Sequence, residues 1–136
     1  MTAACLAFAL LASVVASNAQ DNSKLGDFTK SPTEGIIVEL DRPFVIRTVR
    51  GIISHREGAQ EPLPDALIEI EGPGDVRTIK HATTDKHGRF KIGHVAAGTY
   101  RFKTTLDGFQ SVMGTIIVSE KANKQADIRI EVPVGV

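Results

Sequence analysis

The sequence predicts an all-β protein, a seven- to eight-stranded antiparallel β-sandwich, on three observations. Short runs that alternate apolar and polar residues recur at intervals of roughly 8 to 12 residues. Turn residues separate them, most densely between Thr83 and Tyr100, where Asp85 and Gly88, then Val95 to Gly98, bracket two strands. Beyond Ala19, no stretch spaces its apolar side chains as a helix would.

The first nineteen residues carry no charged side chain, whereas all 16 Lys and Arg and all 16 Asp and Glu follow them. Leu6 to Val15 is an apolar run of about ten residues, the length of a signal-peptide core and half of the roughly twenty that span a bilayer. Ser17-Asn18-Ala19 supplies small residues for cleavage before Gln20, so residues 1–19 are expected to be a signal peptide. The mature chain would then be exported, periplasmic or extracellular, with no stable membrane span. No Lys or Arg precedes the apolar run, which leaves a buried helix or a weak anchor as the alternative. Cys5, the only Cys, lies before that run, so no lipid anchor is expected and the mature form would hold no disulfide.

Residues 20–34 are polar apart from Leu25 and Phe28 and read as a flexible leader. The sandwich is expected over residues 35–136. Ile36 to Leu40 forms a short strand, Asp41-Arg42-Pro43 turns, and Phe44 to Ile53 is long enough for two strands. Gly51 inside the second marks a bulge or a close backbone approach. Arg56 to Pro64, with Gly58, Pro62 and Pro64, is a loop.

Ala66, Ile68 and Ile70 alternate with Leu67, Glu69 and Glu71 as the next strand, and Gly72-Pro73-Gly74-Asp75 turns the chain into a strand over Val76 to Thr84. Phe90 and Ile92 then alternate with Arg89 and Lys91. Tyr100, Phe102, Thr104 and Leu106 alternate with Arg101, Lys103 and Thr105. Asp107-Gly108 leads into a strand over Phe109 to Ser119. After a polar loop from Glu120 to Gln125, the chain ends with Ile128, Ile130 and Val132, stopped by Pro133. Tyr100, Phe102, Phe90, Ile68, Ile70, Ile128 and Ile130 occupy the apolar parity of their strands and are the expected core.

Net charge is zero, so nothing in the whole-chain balance calls for nucleic acid or an anionic membrane. About 117 mature residues suffice for one core, and a monomer is expected.

Taken in order, Gly51-Ile52-Ile53, Gly58 to Ala66, Thr84-Asp85-Lys86-His87-Gly88-Arg89-Phe90, Gly98-Thr99-Tyr100 and Gly108-Phe109 resemble the carboxypeptidase regulatory-like domain. The resemblance runs from about Val49 to Val132. Ser54-His55 and Asp65 depart from the family's usual residues at two loops. The resemblance implies a transthyretin-like (prealbumin-like) sandwich and a non-catalytic accessory module, with no cofactor, that engages a protein or a glycan of the cell envelope. Alternatives from the same superfamily are a starch-binding-like carbohydrate module and, more remotely, a small transthyretin-like hydrolase. The hydrolase tail Tyr-Arg-Gly-Ser is replaced here by Val132-Pro133-Val134-Gly135-Val136.

No catalytic or metal-binding set is evident. His55, His81, His87 and His94 lack the close pairing of a zinc motif, and Asp85 lacks the further ligands of a calcium loop, which leaves it as a turn cap. Two features could contact a partner. Arg89, Lys91, Arg101 and Lys103 fall on the outward parity of two successive strands, a basic face that is either a site for an acidic partner or a solvated surface balanced by Glu69 and Glu71. Phe109, after Asp107-Gly108, could expose a ring to stack a sugar or fold back over the core.

Overall fold

The computed structural model describes residues 28–72 and 78–135. The expected signal peptide and its cleavage site, the leader before Phe28, the turn residues Pro73 to Asp75 and the start of the strand expected from Val76 lie outside the described residues.

The described residues form nine strands: β1 (Val38–Glu39), β2 (Phe44–Ile46), β3 (Val49–His55), β4 (Leu67–Glu71), β5 (Ile79–Thr83), β6 (Arg89–Ile92), β7 (Gly98–Thr105), β8 (Val112–Val118) and β9 (Ile128–Val132). The larger sheet runs β1-β8-β7-β4-β5, with β2 also on β8, and the smaller runs β6-β3-β9. Two sheets facing each other confirm the β-sandwich.

The expected run over Phe44 to Ile53 is divided. Its halves join different sheets, and Arg47 and Thr48 carry the chain between them. The ladders are mixed: β1 and β2 pair with β8 in parallel, as does β3 with β9, while the other pairs are antiparallel. Parallel neighbours arise here because chain segments that cross between the sheets return alongside distant strands.

All seven residues expected in the core are buried, at 5 % exposure or less, and cluster with Ile46, Val49, Ile53, Val112, Ile116 and Val132. Apolar side chains from both inner faces fill the space between the sheets.

The polar segment before the sandwich is docked from Phe28 onward. Phe28 is buried, as is Met113, yet neither belongs to the core cluster. Thr29 N and Oγ1 donate to the two carboxylate oxygens of Glu69, at 2.9 and 3.2 Å, and Ser31 Oγ bonds Asp107 Oδ1 at 3.0 Å. Residues 28–34 therefore lie on the outer face of the larger sheet. A reading of local polarity as flexibility misses this, because their partners are some 40 to 77 positions away.

Candidate functional site

Arg89 and Lys91 point outward from β6 because Phe90 and Ile92 take the alternate, buried positions. The antiparallel register with β3 sets Arg89 opposite Ile52 and Lys91 opposite Arg50. On the other side of β3, parallel β9 brings Arg129 beside Ile52 and Glu131 beside Ser54. Four cations, Arg50, Arg89, Lys91 and Arg129, thus share the outer face of the smaller sheet. Arg50 is held in place by Asp127 Oδ1, at 2.9 Å from its Nε, and by Lys124 O at 3.0 Å.

The other half of the expected basic face lies elsewhere. Gly93 to Ala97 carry the chain across the sandwich, so Arg101 and Lys103 project from the outer face of the larger sheet. The four residues do not form one patch. Alternation specifies which side of its own strand a residue takes, whereas the crossing specifies which sheet that strand joins.

Nor are Arg101 and Lys103 free. Arg101 pairs with Glu39 and donates to Thr115 Oγ1 at 3.2 Å. Lys103, between Glu69 and Met113 in register, is buried and donates to Thr29 O at 2.7 Å and to Glu34 Oε2 at 2.8 Å. On β4, Glu69 stands opposite Lys103 and Glu71 opposite Arg101 in register, so both acids lie on the larger sheet and not beside the cations of β6.

Above the smaller sheet an open cleft of about 610 Å³ has Ile52, Ser54, Arg89, Arg129 and Glu131 along its base and Gln60, Pro62 and His87 along its rim. Its walls are pinned to β3. Leu63 N donates to Ile53 O, Ile53 N to Gly88 O, and His55 N to Glu61 O, each at 2.9 Å. Asp85 caps the turn that carries His87: its Oδ1 accepts from His87 N at 2.8 Å and from Arg89 N at 3.0 Å. The bonds from Arg89 N and His87 N hold its carboxyl below the ordinary range. Gly88 has φ 72°, and a Cβ there would stand 2.7 Å from Ile53 O, so the turn presses directly on the strand. Gln60 on the opposite rim also adopts a left-handed conformation, with φ 55°. A non-glycine residue in that region is uncommon and is held there by its surroundings.

The outward parity of Arg129 and Glu131 was readable in β9, as was that of Arg50 and Ile52 in β3. What was missing was that β3 runs between β6 and β9, a juxtaposition with no local signature.

Phe109 folds inward. It packs on the core cluster and takes the edge of His55, with ring centroids 5.2 Å apart. Phe44 tilts against Phe102 at 5.9 Å, while Phe28, Phe90 and Tyr100 are buried. Among the described residues no Phe or Tyr ring is exposed as a platform for a neutral sugar. The four His residues are dispersed: His55 faces Phe109, His81 is on β5, His87 is in the Asp85 turn, and His94 is in the crossing with φ 57°. The described residues hold no group of three or more His, Cys, Asp or Glu arranged to bind a metal ion. They include no helix long and apolar enough to cross a membrane.

A family model described as the carboxypeptidase regulatory-like domain matches residues 48–131, a span from just before β3 almost to the end of β9. No curated protein matches the chain.

Proposed function

Because this chain belongs to the carboxypeptidase regulatory-like domain family, a family of small non-catalytic β-sandwich modules, we propose that it is an exported binding module. It serves no chemistry of its own and engages an anionic protein or glycan of the cell envelope through the outer face of the smaller sheet. The observation that carries this reading is the convergence of Arg50, Arg89, Lys91 and Arg129 from three adjacent strands on one open face. Asp127, Glu131 and the turn residue Asp85 offset them in part, and Asp127 is engaged with Arg50.

Screening over about 8 Å at physiological ionic strength makes such a face salt-sensitive. Association with an acidic partner should therefore weaken steeply as salt rises. Reversing Arg89 and Arg129 together, Arg89→Glu and Arg129→Glu, should abolish it while leaving stability within about 0.5 kcal/mol, as exposed substitutions usually do. A panel of acidic glycans and secreted proteins that showed no salt-sensitive binding would overturn the reading. Export is supported by the uncharged, apolar first nineteen residues. Mass spectrometry of the exported protein should find a chain beginning at Gln20, and an intact Met1 would count against it.

A further inference from the structure

We propose that the cleft over Ile52 receives a carboxylated sugar, a uronic-acid segment of an anionic glycan. This deepens the reading of the smaller sheet as the binding face and rests on it. The decisive residue is Glu131. It stands in the row next to that of Arg89, Ile52 and Arg129, opposite Ser54, and on the same side of β9 as Arg129. Among the described residues, the side chains of Arg89, Arg129 and Glu131 form no ion pair. The cleft therefore offers two guanidinium donors and one carboxylate acceptor to whatever enters it, with Ser54 and Gln60 able to do either.

A ligand that presents only acceptors, such as a polyphosphate, a DNA backbone or an acidic peptide side chain, satisfies the guanidinium groups but sets like charge against Glu131. A uronic acid carries both halves of the match on one ring. Its carboxylate accepts the fork of an arginine, and its hydroxyls donate to Glu131. Ile52 beneath the ring and Pro62 at the rim supply aliphatic surface for the C–H face of a pyranose, in a cleft with no Phe, Tyr or Trp on which a neutral sugar would stack.

Spacing favours a chain over a single unit. Arg89 and Arg129 lie on the two neighbours of β3, so their backbones are two strand spacings apart, about 10 Å. They suit carboxylates on two units better than one shared anion. The rim is preformed, since the 60–63 loop and the Asp85 turn are both hydrogen-bonded to β3, and a preformed site loses less entropy on binding.

Isothermal titration of the purified chain with three kinds of probe tests the assignment. These are trimers of galacturonate and of glucuronate, the same trimers with each carboxyl reduced to an alcohol, and triglutamate, which has the charge without the hydroxyls. One of the uronate trimers should bind at least about tenfold more tightly than the reduced trimers and triglutamate. Arg129→Gln should weaken it by roughly tenfold or more, the loss of a charge-assisted hydrogen bond. Glu131→Gln should weaken the uronate and strengthen triglutamate, a reversal that simple loss of structure would not produce; circular dichroism melts confirm that each variant is folded. Triglutamate binding as tightly as either uronate, and lost on charge reversal at Arg89 and Arg129, would overturn the sugar assignment while the anionic-partner reading stands. Reduced trimers binding equally well would overturn it too. If none of the probes binds, and the wider panel of acidic partners also fails, both readings fall.

Discussion

At Lys103 an ammonium group is almost stripped of water, its side chain 1 % exposed, and recovers two oxygen acceptors from Thr29 and Glu34. Left alone there it would carry a desolvation penalty of several kcal/mol. Glu34 is subject to opposing effects. Burial pushes its carboxyl up, but hydrogen bonds from Lys103, Ser111 and Ser31 N, with the charge of Lys103, outweigh this and hold it below the ordinary value of 4.5. A carboxyl whose pKa falls on folding stabilises the fold above its unfolded pKa, and that contribution is lost as pH drops through the folded value. Thermal melts should therefore plateau near neutral pH and decline below pH 4.5. Glu34→Gln should lower the neutral plateau and flatten the acid decline; an acid limb identical to that of the parent would assign it to other groups. The apolar parity of Tyr100 and Phe102 was legible in the sequence because burial of alternate residues is a local pattern. The burial of Lys103 was not, because it depends on Thr29, 74 positions away.

Strand β3 is paired on both sides and pressed by the Asp85 turn. A Cβ on Gly51 would stand 2.0 Å from Ile128 O, a backbone atom of β9 that has no rotamer by which to move aside. Gly51→Ala should cost about 3 kcal/mol or more in urea denaturation, at the upper end of overpacking effects. A loss below about 1 kcal/mol would show that β9 yields freely at this point. Glycine inside an alternating run indicated a close approach, and the approach is there. Its partner was not indicated, because the strand that comes near is 77 residues further on. The same gap explains the site. Arg89 and Lys91 were found from the alternation in β6, whereas Arg50 and Arg129 joined them through strand order alone.

At the scale of the whole molecule, the two outer faces have different roles. Residues 28–34 pack on part of the larger sheet and bury Lys103 and Glu69, while among the described residues nothing covers the outer face of the smaller sheet. A chain begun at Gly35 should lose the burial of Phe28, about 1.5 to 3 kcal/mol, together with the partners of Lys103. Its melting temperature should fall, while binding of acidic ligands to the smaller sheet stays unchanged. Loss of that binding at a temperature where the shortened chain is folded would place the site on the larger sheet. The all-β class, the turns and the inward parity of the core follow from the sequence by itself, since period-two alternation and the conformational preferences of Gly, Asp and Pro act over a few residues. Which sheet each strand joins, and so which charges meet on one face, was decided only by the tertiary structure. The destination of each crossing between sheets depends on packing the entire apolar core at once, and no local spacing records it.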